Sequence, residues 1–242
     1  MVYNWPKIVQ RFRLSAPCRL CRASTRTACG ICDACLPDLP WTGRACRLCA
    51  APLPLTAKHV SGGPPAGDDP VCARCRKKPP ILDACQALFQ YRYPVDGWIR
   101  RLKFEQDLGL ARLLAHFLAP AVLARAHDRI VPVPLHPTRL RQRGFNQSLE
   151  VVRPLKRRGL SVDTGCCRRV RPTPAQSGLT AQERRHNLTG AFQVCQRLGG
   201  ESVLLIDDVM TTGSTLNSLA RCLKRAGAGR VEAMLVARTP GP

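Results

Sequence analysis

VLLIDDVMTTGST, residues 203–215, has the pattern of a strand, a turn and a helix start. Its four leading apolar residues predict a strand that is buried on both faces of a parallel sheet. The adjacent acids Asp207 and Asp208 follow that run, and small hydroxyl-bearing residues come next. Apolar residues at helical spacing over 216–226 predict a helix, which Gly227 would end.

The small residues of this turn are suited to bind an anion. Backbone N–H groups at a helix N-terminus, together with the positive end of the helix dipole, hold phosphate groups. The candidate ligand-binding residues of the turn are Thr211, Thr212, Gly213, Ser214 and Thr215. The two carboxylates would repel phosphate, but they suit vicinal sugar hydroxyls, either directly or through Mg²⁺. A phosphorylated ribose therefore satisfies both halves of the pattern, whereas the alternative is a hydroxyl-capped turn without a ligand.

Composition and charge indicate which kinds of partner and which cellular location fit the chain. The 242 residues include 38 Lys and Arg against 16 Asp and Glu, which gives a formal net charge of +22. That excess favours polyanionic partners such as nucleic acid, although it is spread along the chain and also fits a sequence rich in Ala, Pro, Gly and Arg. No apolar run reaches the length of a membrane span, and residues 1–15 lack a secretion-signal pattern.

The cysteine spacing predicts structural zinc. There are 14 cysteines without an export signal, which favours metal over disulfides. Four C-x-x-C pairs supply two tetrahedral sets of thiolates. The sets are Cys18, Cys21, Cys32 and Cys35, then Cys46, Cys49, Cys72 and Cys75. Cys29 lies three residues before Cys32, so the pair Cys29 and Cys32 is an alternative to Cys32 and Cys35. The Pro- and Gly-rich segment between Cys49 and Cys72 is predicted to be a loop, with His59 exposed.

The remaining chain predicts strands alternating with helices. Two prolines in the strand predicted over 128–135 imply a sheet edge, a bulge or an unusual peptide, and Pro120 is predicted to kink or interrupt its helix. The predicted strands are 87–93, 128–135 and 230–237, and the predicted helices are 95–104, 108–126 and 144–159.

The segment 203–215 resembles the phosphoribosyl pyrophosphate (PRPP) signature of type I phosphoribosyltransferases. Two further stretches, VPVPLHPTRLRQRGFNQS at 131–148 and QSGLTAQERRHNLTGAF at 176–192, resemble the ComF family of competence-associated proteins. This family carries an N-terminal zinc ribbon, and the resemblance covers nearly the whole chain. It implies an α/β fold in which a small N-terminal double zinc-ribbon module (1–79) is followed by a type I phosphoribosyltransferase-like parallel sheet flanked by helices (80–242).

The resemblance also implies roles for individual residues. The loop after the first strand of the sheet would hold pyrophosphate, with Arg139, Arg141 and Arg143 in contact with it. A hood over the pyrophosphate would lie within 173–190, and its candidates for closing on the ligand are Arg184, Arg185 and Asn187. The family places its second cysteine pair shortly before a Leu-Pro, such as residues 39–40, which favours Cys35 over Cys29.

Two functions stay open at this level. In the first, the chain is an enzyme that displaces pyrophosphate from Mg²⁺-bound PRPP with an acceptor that the sequence does not identify. In the second, the same site senses a phosphoribosyl compound or holds single-stranded DNA through a 5′-phosphate. The resemblance implies DNA uptake during natural transformation, by a cytoplasmic protein at the inner face of the membrane with helicase or channel partners.

Overall fold

A computed structural model describes residues 15–54, 70–172 and 190–240. The chain divides into two compact units, Met1–Leu39 and Pro40–Pro242. The boundary between residues 79 and 80 stays a prediction of the sequence. In the smaller unit, strands β1 (Ala16–Pro17) and β2 (Ser24–Thr25) pair antiparallel.

The larger unit is built on a parallel sheet. Its further strands are β3 (Ala84–Gln90), β4 (Arg129–Pro132), β5 (Cys167–Arg169), β6 (Phe192–Val194), β7 (Ser202–Met210) and β8 (Arg230–Arg238). The order β3-β8-β7-β4 has every neighbouring pair parallel, while β5 and β6 form a separate antiparallel pair. The two central strands are buried along most of their length, as their uninterrupted apolar sequences require.

Helices flank this sheet and complete the predicted α/β class. They are α1 (Ala73–Lys77), α2 (Val95–Phe104), α3 (Leu108–Leu123), α4 (Pro137–Arg143), α5 (Gln147–Lys156) and α6 (Ser214–Arg225). In α6 the residues Leu216, Leu219 and Leu223 recur at helical spacing and are buried, so one face of this helix covers the sheet. None of the helices in the described ranges combines the length and apolarity that crossing a bilayer requires.

Some element bounds differ from the sequence-based predictions. The helix predicted over 144–159 is present as α5 but is shorter at both ends, since it begins after Asn146 and ends at Lys156. The preceding helix α4 was not predicted, and Gly144 (φ +82°) ends it in the left-handed region. Pro120 does not interrupt α3, which continues past it to Leu123. β4 lies at a sheet edge, as its prolines imply.

Candidate functional site

The two acids lie towards the carboxyl end of β7. This strand pairs with β4 on one side and β8 on the other, and Asp207 stands opposite Leu235 of β8. Asp208 is only 8% exposed. Ligands of open α/β sheets bind outside the carboxyl ends of the strands, so the fold brings both carboxylates to the expected position.

Asp207 keeps one oxygen available. Its Oδ1 accepts a hydrogen bond from Ser148 Oγ at 2.9 Å and another from the backbone N–H of Asp208 at 3.0 Å. Among the described residues, its Oδ2 has no hydrogen-bond or ion-pair partner. An ionised carboxylate accepts at both oxygens, so Oδ2 is free to accept from a ligand hydroxyl.

Asp208 is engaged at both oxygens. Its Oδ1 accepts from the Val209 N–H at 2.6 Å, and its Oδ2 lies 2.7 Å from Nζ of Lys103 in the last turn of α2. Sequence reasoning missed Lys103 because a lysine near a helix end, 105 positions before Asp208, is usually a solvent-exposed residue.

Burial and the charge of its neighbour make ionisation of Asp207 unfavourable. Burial, and after it the negative charge of Asp208, raises the pKa of Asp207 to about 7. The hydrogen bond from Ser148 and the charge of Lys103 act in the opposite direction. Asp207 therefore titrates near neutral pH, unlike a solvent-exposed aspartate.

The turn after β7 prepares the start of α6. Gly213 adopts φ +79° and is the N-cap residue of α6, so the N-cap position itself has no side chain to cap the helix. The Thr212 and Ser214 hydroxyls are 2.9 Å apart, and Thr212 Oγ1 accepts from the Ser214 N–H at 3.4 Å. A Cβ at residue 213 would stand 3.1 Å from Met210 Sδ, in addition to its backbone strain. The turn thus presents hydroxyls and the N-terminus of α6 beside the acids.

The sequence RGFNQS, residues 143–148, connects the arginine-bearing helix to the acids. Gly144 ends α4, and the Asn146 side chain caps α5 by accepting from the Ser148 N–H at 3.0 Å. Asn146 Nδ2 also donates to the Val133 carbonyl at 2.9 Å, which fixes the turn to the end of β4. The buried Ser148 then reaches Asp207, so this motif positions a partner of the sugar-side acid.

The predicted pyrophosphate-side arginines divide into two groups. Arg139 and Arg143 are four positions apart and share one side of α4, whereas Arg141 is exposed and lies on another side. Burial lowers the pKa of Arg143, Asp208 opposes this effect, and Arg139 adds to it. Arg143 therefore belongs to the electrostatic surroundings of Asp208, and Arg139 lies close enough to act on Arg143 and on Arg169. Arg184, Arg185, Asn187 and the predicted hood lie outside the described residues, as does His59.

Two further residues border the site and were not predicted. Arg169, in β5, is 7% exposed, and burial lowers its pKa while the charge of Asp207 acts against that lowering. Phe104 ends α2 and is 73% exposed, with the Arg143 guanidinium carbon 5.7 Å from its ring centroid. Adjacent basic residues in a short strand carry no sequence signal for a site, because such residues are most often solvated.

A cavity of about 610 Å³ lies beside α4 and α5. Its walls include Leu140, Phe145, Asn146, Arg153 and Arg169. The cavity shares Arg169 with the surroundings of Asp207, and its lining combines apolar surface with cationic side chains.

The cysteines of the smaller unit form one cluster. The sulfur atoms of Cys18, Cys21, Cys32 and Cys35 all lie within 4.8 Å of one another. Backbone N–H groups of Leu20 and Cys32 donate to Cys18 Sγ at 3.5 and 3.3 Å. The thiol of Cys29 instead contacts the Ile31 carbonyl at 3.7 Å, so the structure brings Cys35 and not Cys29 into the cluster.

The second cluster lies in the larger unit. Its sulfur atoms, from Cys46, Cys49, Cys72 and Cys75, also lie within 4.8 Å of one another. The donor chemistry fits Zn²⁺ in both clusters, because Zn–S distances of about 2.3 Å in a tetrahedron separate sulfurs by about 3.8 Å. The Cys21–Cys32 and Cys49–Cys72 sulfur distances are 3.6 and 3.8 Å. Both clusters could therefore hold structural zinc.

The first cysteine pairs of the two clusters repeat one backbone geometry. The N–H of Cys18 donates to the Ala23 carbonyl at 2.7 Å, and the N–H of Cys46 donates to the Ala51 carbonyl at 2.8 Å. Arg22 (φ +68°) and Ala50 (φ +54°) take the same unusual backbone conformation directly after each pair. The pairing of residue 17 with 24 recurs as 45 with 52, so the two turns are copies 28 positions apart.

Arg238 joins the second cluster to the turn that precedes α6. This fully buried last residue of β8 donates from Nε to the Cys49 carbonyl at 3.0 Å. Its Nη1 donates to the Met210 carbonyl at 2.9 Å and to the Thr239 carbonyl at 2.7 Å. The cysteine turn and the end of β7 are thus held by one side chain.

Comparison with known proteins agrees with this geometry. The family described as "Phosphoribosyl transferase domain" matches residues 142–241. The DNA utilization protein YhgH of Escherichia coli is 33% identical over 92% of this chain and 96% of that protein. Competence protein F of Haemophilus influenzae is 31% identical over 91% of this chain and 96% of that protein. Competence protein ComFC of Streptococcus pneumoniae is 29% identical over 63% of this chain and 67% of that protein.

The parallel sheet, the acid pair at its carboxyl edge and the matched domain define a protein of the phosphoribosyltransferase type. Two four-cysteine clusters accompany that fold. The relatives agree with it along nearly the whole chain, and the chain belongs to the ComF family.

Proposed function

We propose that this protein binds PRPP or a related phosphosugar at the carboxyl end of β7. Asp207 and Asp208 take the ribose hydroxyls, the turn Thr211–Thr215 takes the 5′-phosphate, and Arg139 and Arg143 lie on the pyrophosphate side. The observation that carries the proposal is Asp207 Oδ2, which has no partner among the described residues, together with the hydroxyl-bearing turn that leads from β7 into α6.

The geometry favours Mg²⁺ on the pyrophosphate of the ligand. Asp208 Oδ2 already pairs with Lys103 and Asp207 Oδ2 is assigned to a ribose hydroxyl, so the oxygens of the pyrophosphate and of the sugar hydroxyls are left for the ion. When bound there, Mg²⁺ would neutralise charge on the departing group. The protein residues would contribute positioning of the sugar and positive charge opposite the pyrophosphate, which suits an oxocarbenium-like transition state.

We further propose that the site serves DNA handling in natural transformation. The support is the names of the relatives, a DNA utilization protein and a competence protein, together with the formal charge of +22. Single-stranded DNA, helicases or channel proteins at the inner face of the membrane are the corresponding partners. In the second candidate function, the protein senses a phosphoribosyl compound or holds a DNA 5′-phosphate without turnover; the charge favours it as well.

Release of pyrophosphate from PRPP distinguishes the two functions. We expect Thr212→Val to weaken binding of PRPP and ribose 5-phosphate by about 1–3 kcal/mol, because a donor to a charged oxygen is lost. The assay is run with and without single-stranded DNA, and binding of both sugars is measured by calorimetry. Turnover supports the enzyme, and binding without turnover supports the sensor.

Thr42→Val is the matched control. The Thr42 hydroxyl is buried and has no hydrogen-bond partner among the described residues, so its loss removes no contact. Binding should remain at the wild-type level in this variant. If Thr212→Val binds phosphorylated and unphosphorylated ribose with the wild-type ratio of affinities, the turn does not hold phosphate and the proposal is wrong.

A further inference from the structure

Lys103 has no role in the proposed binding of the phosphosugar, yet its side chain lies in the site. Its Nζ is 2.7 Å from Asp208 Oδ2, and the two side chains are 22% and 11% exposed. An ion pair this shielded is not a loose surface contact, which would be screened by water and salt.

The position of Lys103 is set by the helix that carries it. Trp98, Ile99 and Leu102 of α2 are buried, so the helix is packed into the unit up to the residue before Lys103. In the same turn as Lys103, Arg101 pairs with Asp107 at 2.8 Å, which ties the end of α2 to the start of α3. The packed helix α2 therefore holds the ammonium group of Lys103 in place against Asp208.

The chemistry of the acid pair makes a cation necessary. Two adjacent carboxylates in a shielded position repel each other, and either a metal ion or a cationic side chain can offset that repulsion. Oδ1 of Asp208 is already used by the Val209 N–H, which leaves Oδ2 to contact a cation. Lys103 stands at that oxygen, where a divalent ion would otherwise coordinate.

We propose that Lys103 is the resident cation of the sugar site, so that the carboxylate pair takes the hydroxyls of a phosphorylated ribose without a divalent ion at the acids. This rests on the proposed function, and it adds how the site recognises the sugar. Asp207 Oδ2 accepts one hydroxyl. The ammonium has three donors, so it keeps its contact with Asp208 while it donates to a second hydroxyl oxygen.

Ribose 5-phosphate tests this role, because it lacks the pyrophosphate that would bring Mg²⁺ into the site. Its affinity is measured by calorimetry in buffer freed of divalent ions by resin, without a chelator, since a chelator would also remove zinc from the cysteine clusters. We expect Mg²⁺ to change the wild-type affinity by less than about twofold, and Lys103→Met to lose about tenfold or more in its absence. Added Mg²⁺ should restore part of that loss, and Lys103→Arg should retain binding.

Two controls separate this role from a structural one. Lys224→Met removes a lysine that pairs with Asp83 at the same 2.7 Å distance, and it should leave binding unchanged. Inorganic phosphate, which uses the turn but not the acids, should bind Lys103→Met as well as it binds the wild type.

The outcomes are distinct. If Lys103→Met binds ribose 5-phosphate as tightly as the wild type without Mg²⁺, or loses inorganic phosphate to the same degree as the sugar, the role of Lys103 is overturned while the phosphosugar site stands. If the wild type binds ribose 5-phosphate under neither condition, the proposed function is overturned, and this inference with it.

Discussion

At the scale of single residues, Asp207 and Asp208 show how neighbours in sequence acquire different chemistry. Asp208 is held by the cation of Lys103 at Oδ2 and by a backbone N–H at Oδ1. Asp207 receives a hydroxyl and a backbone N–H on one oxygen only. The difference arises because α2 and α5 reach the strand from separate parts of the chain, so the dipeptide alone does not determine it.

Asp207→Asn should stabilise the protein above neutral pH. The folded-state pKa of about 7 exceeds the ordinary value of 3.8, so the folded protein binds this proton more tightly than the unfolded chain does. Ionisation of Asp207 therefore costs stability as the pH rises from 3.8 to about 7, by about 4 kcal/mol in all, and roughly 1–2 kcal/mol of this falls between pH 6 and pH 8.5. The charged groups facing it are Asp208, Lys103 and Arg169.

Thermal unfolding of wild type and variant at pH 6 and pH 8.5 measures this effect. The advantage of Asp207→Asn should be larger at pH 8.5. Asp163→Asn is the control of opposite sign, because Arg129 and the N–H groups of Gly165 and Cys166 lower the pKa of Asp163 despite its burial. It should destabilise the protein at both pH values. An advantage of Asp207→Asn that does not depend on pH would contradict the raised pKa.

At the scale of elements, Arg238 connects three parts of the larger unit. It holds the carbonyl of Met210 just before the phosphate-side turn and the carbonyl of Cys49 in the second cluster. The strand that carries it, β8, is central in the sheet. The order of the turn that begins α6 thus depends on a residue that contacts no ligand.

Arg238→Met should destabilise the larger unit by about 2–4 kcal/mol, since three carbonyl oxygens, two of them in buried hydrogen bonds, lose a donor. Hydrogen exchange should also quicken in the segment 211–216. Arg168→Met is the matched control, because this exposed arginine pairs only with Gln193 of the neighbouring strand among the described residues. Its effect should stay within about 0.5 kcal/mol. Unchanged exchange at 211–216 in Arg238→Met would show that the turn is ordered independently.

The elements that the sequence predicts best are those with an uninterrupted pattern. The apolar run at 203–206 and the helical spacing after it predicted β7 and α6, because a buried strand and an amphipathic helix each leave a local signature. The separate helix α4 was missed, because a glycine at position 144 is compatible both with the start of a helix and with the left-handed residue that ends one. Lys103, Ser148 and Arg169 were missed since each meets the acids through the tertiary fold.

At the scale of the whole molecule, two similar cysteine clusters lie in different compact units. We expect close to two zinc ions per chain by elemental analysis, because both clusters have the donors and spacing of closed tetrahedral sites. Cys18→Ser and Cys72→Ser should each lower the content to about one. Cys18→Ser should leave ribose 5-phosphate binding intact, while Cys72→Ser should also lower the melting temperature of the larger unit. Absence of zinc from the wild type would overturn the assignment of both clusters.

The 28-residue copy of the cysteine turn has a consequence for biosynthesis. A nascent chain has all four thiols of the first cluster once residue 35 has left the ribosome, so that cluster can take its metal early. The second cluster waits for residue 75, and the hydrogen bond at its Cys49 waits for Arg238. Two turns of the same geometry therefore mature at different stages of translation. The later one completes only with the strand that also secures the ligand-binding turn.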